Sequence, residues 1–441
     1  MSYSRKISRW GLSLILIALV AITLVGSLQQ NTRQVHAANN GVGQTPFLGW
    51  SSWSTLRENI SDAKIRAEAD SMAKNLKSVG FSYINIDAGW TSGFDAYGRE
   101  APDMSKFPHG ISGLASYVHS KGLKLGIYLL PGLFKAVWQA NDPILGTKYH
   151  ARDIADTTKQ GNTEGNAYAI DYSKPGAAQY IQSYANLVTS WGVDYIKFDF
   201  VGPGGGKVAA DNRADMQHWE AALKATGRPV WIELSNSLSF ANVKDWQADA
   251  NGWRITGDVE CYSHCPNLTD WAKVSGRFTA VPKWVPYAGP GGWNDLDSLE
   301  IGNGAKDGLT PDERQTTMTL WSISAAPLIL GTDLTTLDSA DMTLLTNTEV
   351  LAVDQAGHPA HPVSQATPQQ VWWAKNADGS YTVALFNLGG ATANVTVNWS
   401  ELGLSGSHSV HDLWSHQNLG SFSGSFTASL RTHASRLLTV K

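Results

Sequence analysis

The sequence predicts an α/β protein in which a closed (β/α)8 TIM barrel is followed by a C-terminal antiparallel β-sandwich domain. Two observations indicate this architecture. Eight short apolar runs alternate with segments of helical periodicity between residues 46 and 330, which is typical of parallel strands joined by helices. After about Val353 the pattern changes to short alternating strands broken by turn residues. A chain of 441 residues is long enough for both parts.

The eight candidate barrel strands are apolar runs of the kind that a parallel sheet buries on both faces. They are residues 47–50, 83–87, 123–130, 195–199, 229–234, 253–256, 285–288 and 326–330. Helical periodicity predicts helices at 61–79, 110–121, 176–191, 209–226 and 311–324. In the C-terminal part we predict strands at 370–374, 381–387, 393–399 and 436–440, with Asp378 and Gly379 in a hairpin turn.

The predicted domain boundaries follow from these elements. Residues 1–37 form a predicted signal peptide, 38–355 the barrel and 356–441 the sandwich, and no Pro/Ser-rich linker separates the last two, so they are expected to pack together. Arg5, Lys6 and Arg9 precede an apolar run at 11–25, and residues 35–37 have the small-x-small pattern of a cleavage site. An uncleaved membrane anchor is the alternative, but the run is shorter than the roughly 20 residues that cross a bilayer. We therefore expect a secreted, extracellular protein without stable membrane association.

The charge of the chain argues against a nucleic-acid partner. The leader holds four of the 34 basic residues and none of the 38 acidic ones, so its removal changes the formal charge from −4 to −8. A net negative chain is a poor partner for nucleic acid, whose backbone is itself negative. Nothing in the sequence indicates an oligomeric state.

The two cysteines, Cys261 and Cys265, lie four residues apart. Export to an oxidising compartment favours a local disulfide bond. Together with Glu260 and His264 they could alternatively form a metal cluster, which requires four ligands at a suitable spacing.

Charged and aromatic side chains collect at the predicted C-terminal ends of the barrel strands, where barrels of this type build their sites. They are Trp50, Asp87, Trp90, Tyr128, Lys197, Asp199, Glu233, Arg254, Asp258, Trp293, Asn294, Asp295 and Asp297. Taken singly, Asp and Asn cap helices, Trp fills cores, and Lys197 with Asp199 could be a buried ion pair. Their convergence on one rim predicts a carbohydrate site, since aromatic rings pack on the C–H faces of a sugar and charged groups bind its hydroxyls.

Two carboxylates of this rim have the properties that glycoside hydrolysis needs. Asp199, beside the cation Lys197, is expected to stay ionised and suits the nucleophile, and Asp258 is the natural acid/base partner. A binding protein that had lost turnover would be expected to lack one of them. A Schiff-base aldolase using Lys197 is disfavoured because the neighbouring carboxylate keeps the lysine protonated.

Eight motifs in the same order resemble glycoside hydrolase family 27, of the α-galactosidase (melibiase) type, over about residues 45–355. They are 46–53 (PFLGWSSW), 85–87 (NID), 107–110 (FPHG), 118–128 (VHSKGLKLGIY), 194–199 (DYIKFD), 253–258 (WRITGD), 288–297 (AGPGGWNDLD) and 325–328 (AAPL).

The resemblance implies a secreted retaining glycoside hydrolase that removes terminal α-galactosyl residues from oligo- or polysaccharides by double displacement, without a metal or an organic cofactor. It implies that Asp199 is the nucleophile and Asp258 the acid/base of a catalytic barrel. It also implies that the terminal-sugar subsite is lined by Trp50, Asp87, Tyr128, Lys197 and Arg254. Ser235 and Asn236 stand where the family often has a further hydroxyl-binding side chain, so Glu233 is expected to replace it.

The chain departs from the family pattern directly after Asp87. The family usually has a second Asp and then Cys at the positions of Ala88 and Gly89. Loss of one charged hydrogen bond is worth about 1.5 to 3 kcal/mol, enough to alter the preferred sugar. The departure therefore leaves three other activities of the family open: β-L-arabinopyranosidase, α-N-acetylgalactosaminidase and isomalto-dextranase.

Overall fold

The computed structural model describes residues 40–262 and 265–441, so the predicted signal peptide lies outside the described residues. Over this described part of the chain, no helix is both long enough and apolar enough to span a lipid bilayer.

The first two thirds of the chain form the predicted parallel barrel. Its strands are β1 (Leu48–Ser51), β2 (Tyr83–Ile86), β3 (Lys124–Leu129), β4 (Tyr195–Phe198), β5 (Trp231–Leu234), β6 (Gly252–Arg254), β7 (Trp293–Asp295) and β8 (Leu328–Leu330). Strands β1 to β7 pair in parallel in sequence order, and β8 pairs in parallel with β1, with Leu48 opposite Leu328. A parallel bridge between Leu299, just after β7, and Leu330 joins the two remaining edges. The predicted fold class is confirmed.

Helices follow most of the strands and cover the outside of the barrel. They are α1 (Trp53–Leu56), α2 (Asp62–Asn75), α3 (Gly110–Ser120), α4 (Lys135–Ala140), α5 (Ala151–Ile154), α6 (Ala177–Ser190), α7 (Arg213–Ala225), α8 (Val243–Asp249), α9 (Trp271–Ala280), α10 (Pro311–Ile323), α11 (Ser339–Leu345) and α12 (Thr348–Gln355). Sequence signals fix several starts. Thr310 and Glu313 form a capping box with Pro311 in the first turn of α10, and the Asp270 side chain accepts the Lys273 N–H at the start of α9.

Side-chain alternation along the strands separates two cores. Leu48 and Trp50 of β1 belong to the large core between the strands and the helices. Phe47 lies in a smaller aromatic core inside the barrel with Tyr83, Tyr195, Trp231 and Trp293. Because side chains alternate between the two faces of a strand, inward positions two and four residues further along each strand lead toward the C-terminal rim.

The prediction of the seventh strand at 285–288 is wrong. Val285–Tyr287 is a turn of 3₁₀ helix, and the strand follows at β7. Pro286 has no N–H to donate to a sheet, so an apolar run that contains it is a poor strand. The other seven predicted barrel strands overlap observed ones.

The C-terminal part is an antiparallel β-sandwich. Its strands are β9 (His361–Pro362), β10 (Gln369–Lys375), β11 (Tyr381–Asn387), β12 (Ala393–Asn398), β13 (Ser407–Asp412), β14 (Gln417–Ser423), β15 (Ser425–Leu430) and β16 (Ser435–Val440). Six of them form one sheet in the order β9-β10-β11-β16-β13-β14, and β12 pairs with β15 in the second sheet. The hairpin predicted at Asp378-Gly379 joins β10 to β11, with Lys375 opposite Tyr381. Strands β9 and β13 to β15 were not predicted.

The sandwich packs directly on the barrel helices. Trp414 donates its indole N–H to Thr319 Oγ1 on α10 at 3.0 Å, and Thr316 donates to the carbonyl of His433 at 2.6 Å. Phe278 of α9 meets the Phe386 ring of β11 edge to face at a centroid distance of 4.8 Å. The expected contact between the two parts is therefore present.

Candidate active site

A pocket of about 710 Å³ opens at the C-terminal ends of the barrel strands. Six of the residues predicted for the site line it, and they come from four strands or the loops directly after them: Asp87, Tyr128, Lys197, Asp199, Arg254 and Asp258. Asp297, another residue of the predicted rim, also lines it.

Lys197 is the cation at one side of the pocket. Its Nζ lies 2.8 Å from Asp87 Oδ2 and 4.0 Å from Asp199 Oδ2. Burial alone would lower the pKa of Lys197, but the charges of Asp87 and Asp199 outweigh it and raise that pKa above its ordinary value. The lysine is thus held protonated between two carboxylates, which excludes it as the neutral amine of a Schiff base.

Asp199 follows β4 at a turn with unusual backbone geometry. The next residue, Phe200, has φ of +52°, in the left-handed region that a bulky side chain rarely adopts, and its N–H donates to Asp199 Oδ1 at 2.8 Å. Such conformations cluster at functional sites. Nearby, burial and then the charges of Asp199 and Asp87 raise the pKa of Tyr128, so its hydroxyl keeps its proton and can donate.

Arg254 organises the carboxylates on the opposite side. Its Nη2 contacts Asp258 Oδ1, and its Nη1 lies 3.1 Å from Asp297 Oδ1. Asp297 Oδ2 accepts the N–H of Val259 at 2.6 Å, which ties the loop that carries Asp258 to the rim after β7. Asp258 and Asp297 come within 4.8 Å of Glu260, and Arg254 supplies the positive charge for this cluster.

Two cations and a tyrosine hydroxyl keep Asp258 ionised. Burial would raise its pKa, but Arg254, then the hydrogen bond from Tyr262 and the charge of Lys197, lower the pKa of Asp258 to about 2. Behind it, burial together with repulsion from Asp297 and Asp258 raises the pKa of Glu260 to about 8. At neutral pH the pocket surface therefore carries an ionised Asp258 in front of a neutral Glu260.

Two predicted sugar-binding residues lie away from the pocket surface, and both expectations need correction. Trp50 is 0% exposed and points outward from β1, where its indole N–H donates to the carbonyl of Thr332 at 2.7 Å. Glu233 points into the barrel, but its Oε2 turns back to accept the indole N–H of Trp231 at 2.8 Å. The missing side chain at Gly252 makes room for this carboxyl.

Four other residues of the predicted rim are also interior. Trp90, Trp293, Asn294 and Asp295 are buried and satisfied by contacts inside the fold. For example, the indole N–H of Trp90 donates to the carbonyl of Tyr128 at 2.8 Å. These residues support the rim and are not in the group that lines the pocket.

Several pocket residues were not singled out from the sequence. They are Ser51, Trp53, Glu58, Glu164, Asn166, Lys207, Tyr262 and Ser298, and Glu260 also lines the pocket, although the sequence indicated it only as a candidate metal ligand. Trp53 supplies a tryptophan at the pocket surface, and strand alternation could have identified it. Positions 48 and 50 face the helices, and the aromatic residue that reaches the mouth is Trp53, the first residue of α1. The loop residues gave no comparable signal.

The Cys261–Cys265 disulfide bond is present, with the two Cα atoms 5.9 Å apart. Both sulfurs are committed to this bond, so they are not available as the thiolate ligands of the alternative metal cluster. The disulfide closes the loop that carries Tyr262 beside Asp258.

Two family models match the two parts of the chain. Residues 45–137 and 159–356 match the family model described as α-galactosidase A, and 366–440 match that of the α-galactosidase C-terminal β-sandwich domain. The chain is 32% identical to an α-galactosidase of Cyamopsis tetragonoloba over 409 residues, which cover 91% of this chain and 87% of that protein.

Two solved structures are similar over nearly the whole chain. A glycoside hydrolase family 27 β-L-arabinopyranosidase from Geobacillus stearothermophilus superposes with a TM-score of 0.83 at 30% identity, covering 90% of this chain and 96% of that one. α-Galactosidase I from Mortierella vinacea gives a TM-score of 0.74 at 28% identity, covering 91% and 98%.

Proposed function

The chain belongs to the α-galactosidase A family of glycoside hydrolases, and we propose that it is a secreted retaining enzyme that removes terminal α-galactosyl residues from oligo- or polysaccharides. One observation carries the mechanism. Asp199 and Asp258 line the same pocket. Asp199 lies near the cation Lys197, and Asp258 contacts a different cation, Arg254. The Cys261–Cys265 disulfide bond is of the kind that forms and persists in an oxidising compartment, which supports secretion.

Asp199 is the proposed nucleophile of the first step. Its Oδ1 accepts the Phe200 N–H, which leaves Oδ2 to attack the anomeric carbon. The bond from that carbon to the leaving oxygen breaks, and Asp258 gives that oxygen a proton. The step leaves a glycosyl ester on Asp199 and a carboxylate on Asp258, so charge and protons balance.

Asp258 reverses its role in the second step. As a carboxylate it takes a proton from water, whose oxygen attacks the anomeric carbon and releases Asp199. The lowered pKa of Asp258 suits this form. The first step needs the protonated form, and a sugar that fills the pocket favours it by excluding the water that solvates the charge.

The terminal sugar is proposed to bind between the two catalytic carboxylates. Asp87 and Lys197 bind its hydroxyls, and Tyr128 donates from a hydroxyl that keeps its proton. Arg254 fixes Asp258 at the glycosidic bond. Trp53 takes the place that we had expected for Trp50 as the aromatic surface for the sugar ring.

A second candidate, β-L-arabinopyranosidase activity, is favoured by Ala88. This small apolar residue lines the pocket where the resemblance implies a carboxylate that helps to hold the axial and primary hydroxyls of galactose. A β-L-arabinopyranoside is an α-galactoside without the C6 hydroxymethyl group, so it has no primary hydroxyl for that carboxylate to bind. One of the similar structures is a β-L-arabinopyranosidase.

Asp199→Asn tests the proposed function. We expect it to lower kcat/KM on 4-nitrophenyl α-galactoside and β-L-arabinopyranoside by at least about a thousandfold, because an amide cannot form the glycosyl ester. Asp378→Asn, in the exposed hairpin of the sandwich, is the matched control. The ratio of the two activities in the unmodified enzyme decides between the two sugars, and NMR of the first-formed anomer reports retention. Full activity of Asp199→Asn, or an inverted product, would contradict the mechanism.

A further inference from the structure

Tyr262 lies at the mouth of the pocket and contacts the proposed acid/base directly. Its hydroxyl donates to Asp258 Oδ2 at 2.6 Å, while 52% of the residue remains exposed. It belongs to the loop that the Cys261–Cys265 disulfide closes. The mechanism described above does not use this tyrosine.

The direction of the hydrogen bond to Asp258 is fixed by a second aromatic residue. The indole N–H of Trp53 donates to Tyr262 Oη at 3.0 Å. An indole N–H can only donate, so it occupies a lone pair of the phenol oxygen and leaves the hydroxyl hydrogen for Asp258. The guanidinium of Arg57 lies 5.1 Å from the Trp53 ring centre and 4.7 Å from that of Tyr262, which holds the two rings together.

Tyr262 contacts the oxygen of Asp258 on which the catalytic proton has to lie. Arg254 binds Oδ1, so Oδ2 is the oxygen that can carry a proton toward a leaving group. Resting on the proposed function, we propose that Tyr262, oriented by Trp53, is a positioning residue that aims Oδ2 of Asp258 into the pocket and sets the pH above which acid catalysis is lost.

Other charged groups around Asp258 also influence its pKa. Arg254 and Lys197 act from β6 and β4, and the Lys273 ammonium of α9 donates to the Asp258 carbonyl at 3.3 Å. Glu260 and Asp297 are the neighbouring acids, and Arg277 approaches Asp297 at 3.8 Å. A substitution at Tyr262 leaves all of these groups in place.

Removing the Tyr262 hydroxyl is expected to change the pKa of Asp258 in one direction only. The hydrogen bond from Tyr262 stabilises the carboxylate, and its loss raises the pKa of Asp258. Acid catalysis then persists to higher pH. In Tyr262→Phe we expect the basic limb of kcat/KM to move up by about one pH unit for a substrate with a sugar leaving group. A 2,4-dinitrophenyl glycoside needs no proton on its leaving group, so its basic limb is expected to stay unchanged.

Two further variants separate this role from a structural one. Trp53→Phe frees the Tyr262 hydroxyl to turn away, so it is expected to move the limb in the same direction by a smaller amount. Tyr117→Phe is the matched control, because Tyr117 also donates to a carboxylate, that of Asp70 at 2.8 Å, but does not line the pocket. It is expected to leave the profile unchanged.

The outcomes separate failure of the inference from failure of the proposed function. An unchanged basic limb in Tyr262→Phe, or a uniform loss of kcat/KM at all pH values, would overturn the positioning role. Asp258→Asn is measured alongside on both leaving groups. If it does not make hydrolysis more dependent on leaving-group acidity, Asp258 is not the acid and the proposed function itself fails.

Discussion

Trp50 and Trp53 lie three residues apart and have opposite surroundings. Trp50 is enclosed between β1 and the helices, whereas Trp53 lies at the pocket surface beside Tyr262. The difference follows from the alternation of side chains along β1, which directs positions 48 and 50 away from the barrel interior. A side chain that is close in sequence to a site residue therefore does not necessarily lie in the site.

Substitution of the two tryptophans is expected to give opposite results. Trp53→Ala removes an aromatic surface from the pocket and should raise KM by about tenfold, with little change in thermal stability. Trp50→Ala leaves a large internal cavity and should lower the free energy of unfolding by about 3 to 5 kcal/mol, while the folded fraction keeps its KM. Kinetics combined with urea unfolding measure both quantities. If KM rises in Trp50→Ala and not in Trp53→Ala, Trp50 and not Trp53 contacts the sugar.

Among elements, the strand ends were predictable and the loops were not. Asp87, Lys197 and Asp199 directly follow or end an apolar run, so their arrival at one rim follows from the parallel topology alone. Tyr262 meets Trp53 across 209 residues of sequence, and only the folded loop brings them together. Strand β7 was missed because its Asn294 is polar yet buried, with its side-chain amide donating to the carbonyl of Trp284 at 2.9 Å.

Helix α2 contains a buried acid whose ionisation couples to folding. Glu68 Oε2 accepts the N–H of Leu334 at 2.9 Å. Burial, with a smaller contribution from the charge of Asp333, raises the pKa of Glu68 from 4.5 to about 8. Between these values the folded state holds a proton that the unfolded chain releases, so this residue makes stability fall as pH rises through that window.

Glu68→Gln is expected to remove this loss of stability. The glutamine oxygen can still accept the Leu334 N–H and has no proton to release. Relative to the unmodified protein, the variant should be about equally stable near pH 4 and more stable at pH 8 by on the order of 3 kcal/mol. Unfolding by urea at several pH values measures the difference. A difference that does not grow with pH would show that Glu68 is ionised in the fold.

At the scale of the whole molecule, the barrel and the sandwich share one core. Trp372, Phe386 and Leu437 of the six-stranded sheet belong to the same buried cluster as the outer face of the barrel strands. The second sheet packs on the opposite face of the six-stranded sheet, around Val383, Val397 and Phe426. The six-stranded sheet therefore joins the two cores, and neither part buries its apolar surface alone.

This shared core predicts a single cooperative unfolding transition for both parts. Phe278→Ala removes the α9 ring that packs on Phe386 at 4.8 Å, and should lower the free energy of unfolding by about 3 kcal/mol. Phe426→Ala, inside the sandwich and away from the barrel, is the matched control and should shift the same transition, because loss of the sandwich exposes the barrel core. Calorimetry and tryptophan fluorescence are expected to report coincident midpoints in both variants. Two separate transitions, with Phe426→Ala moving only one of them, would mean that the barrel folds independently of the sandwich.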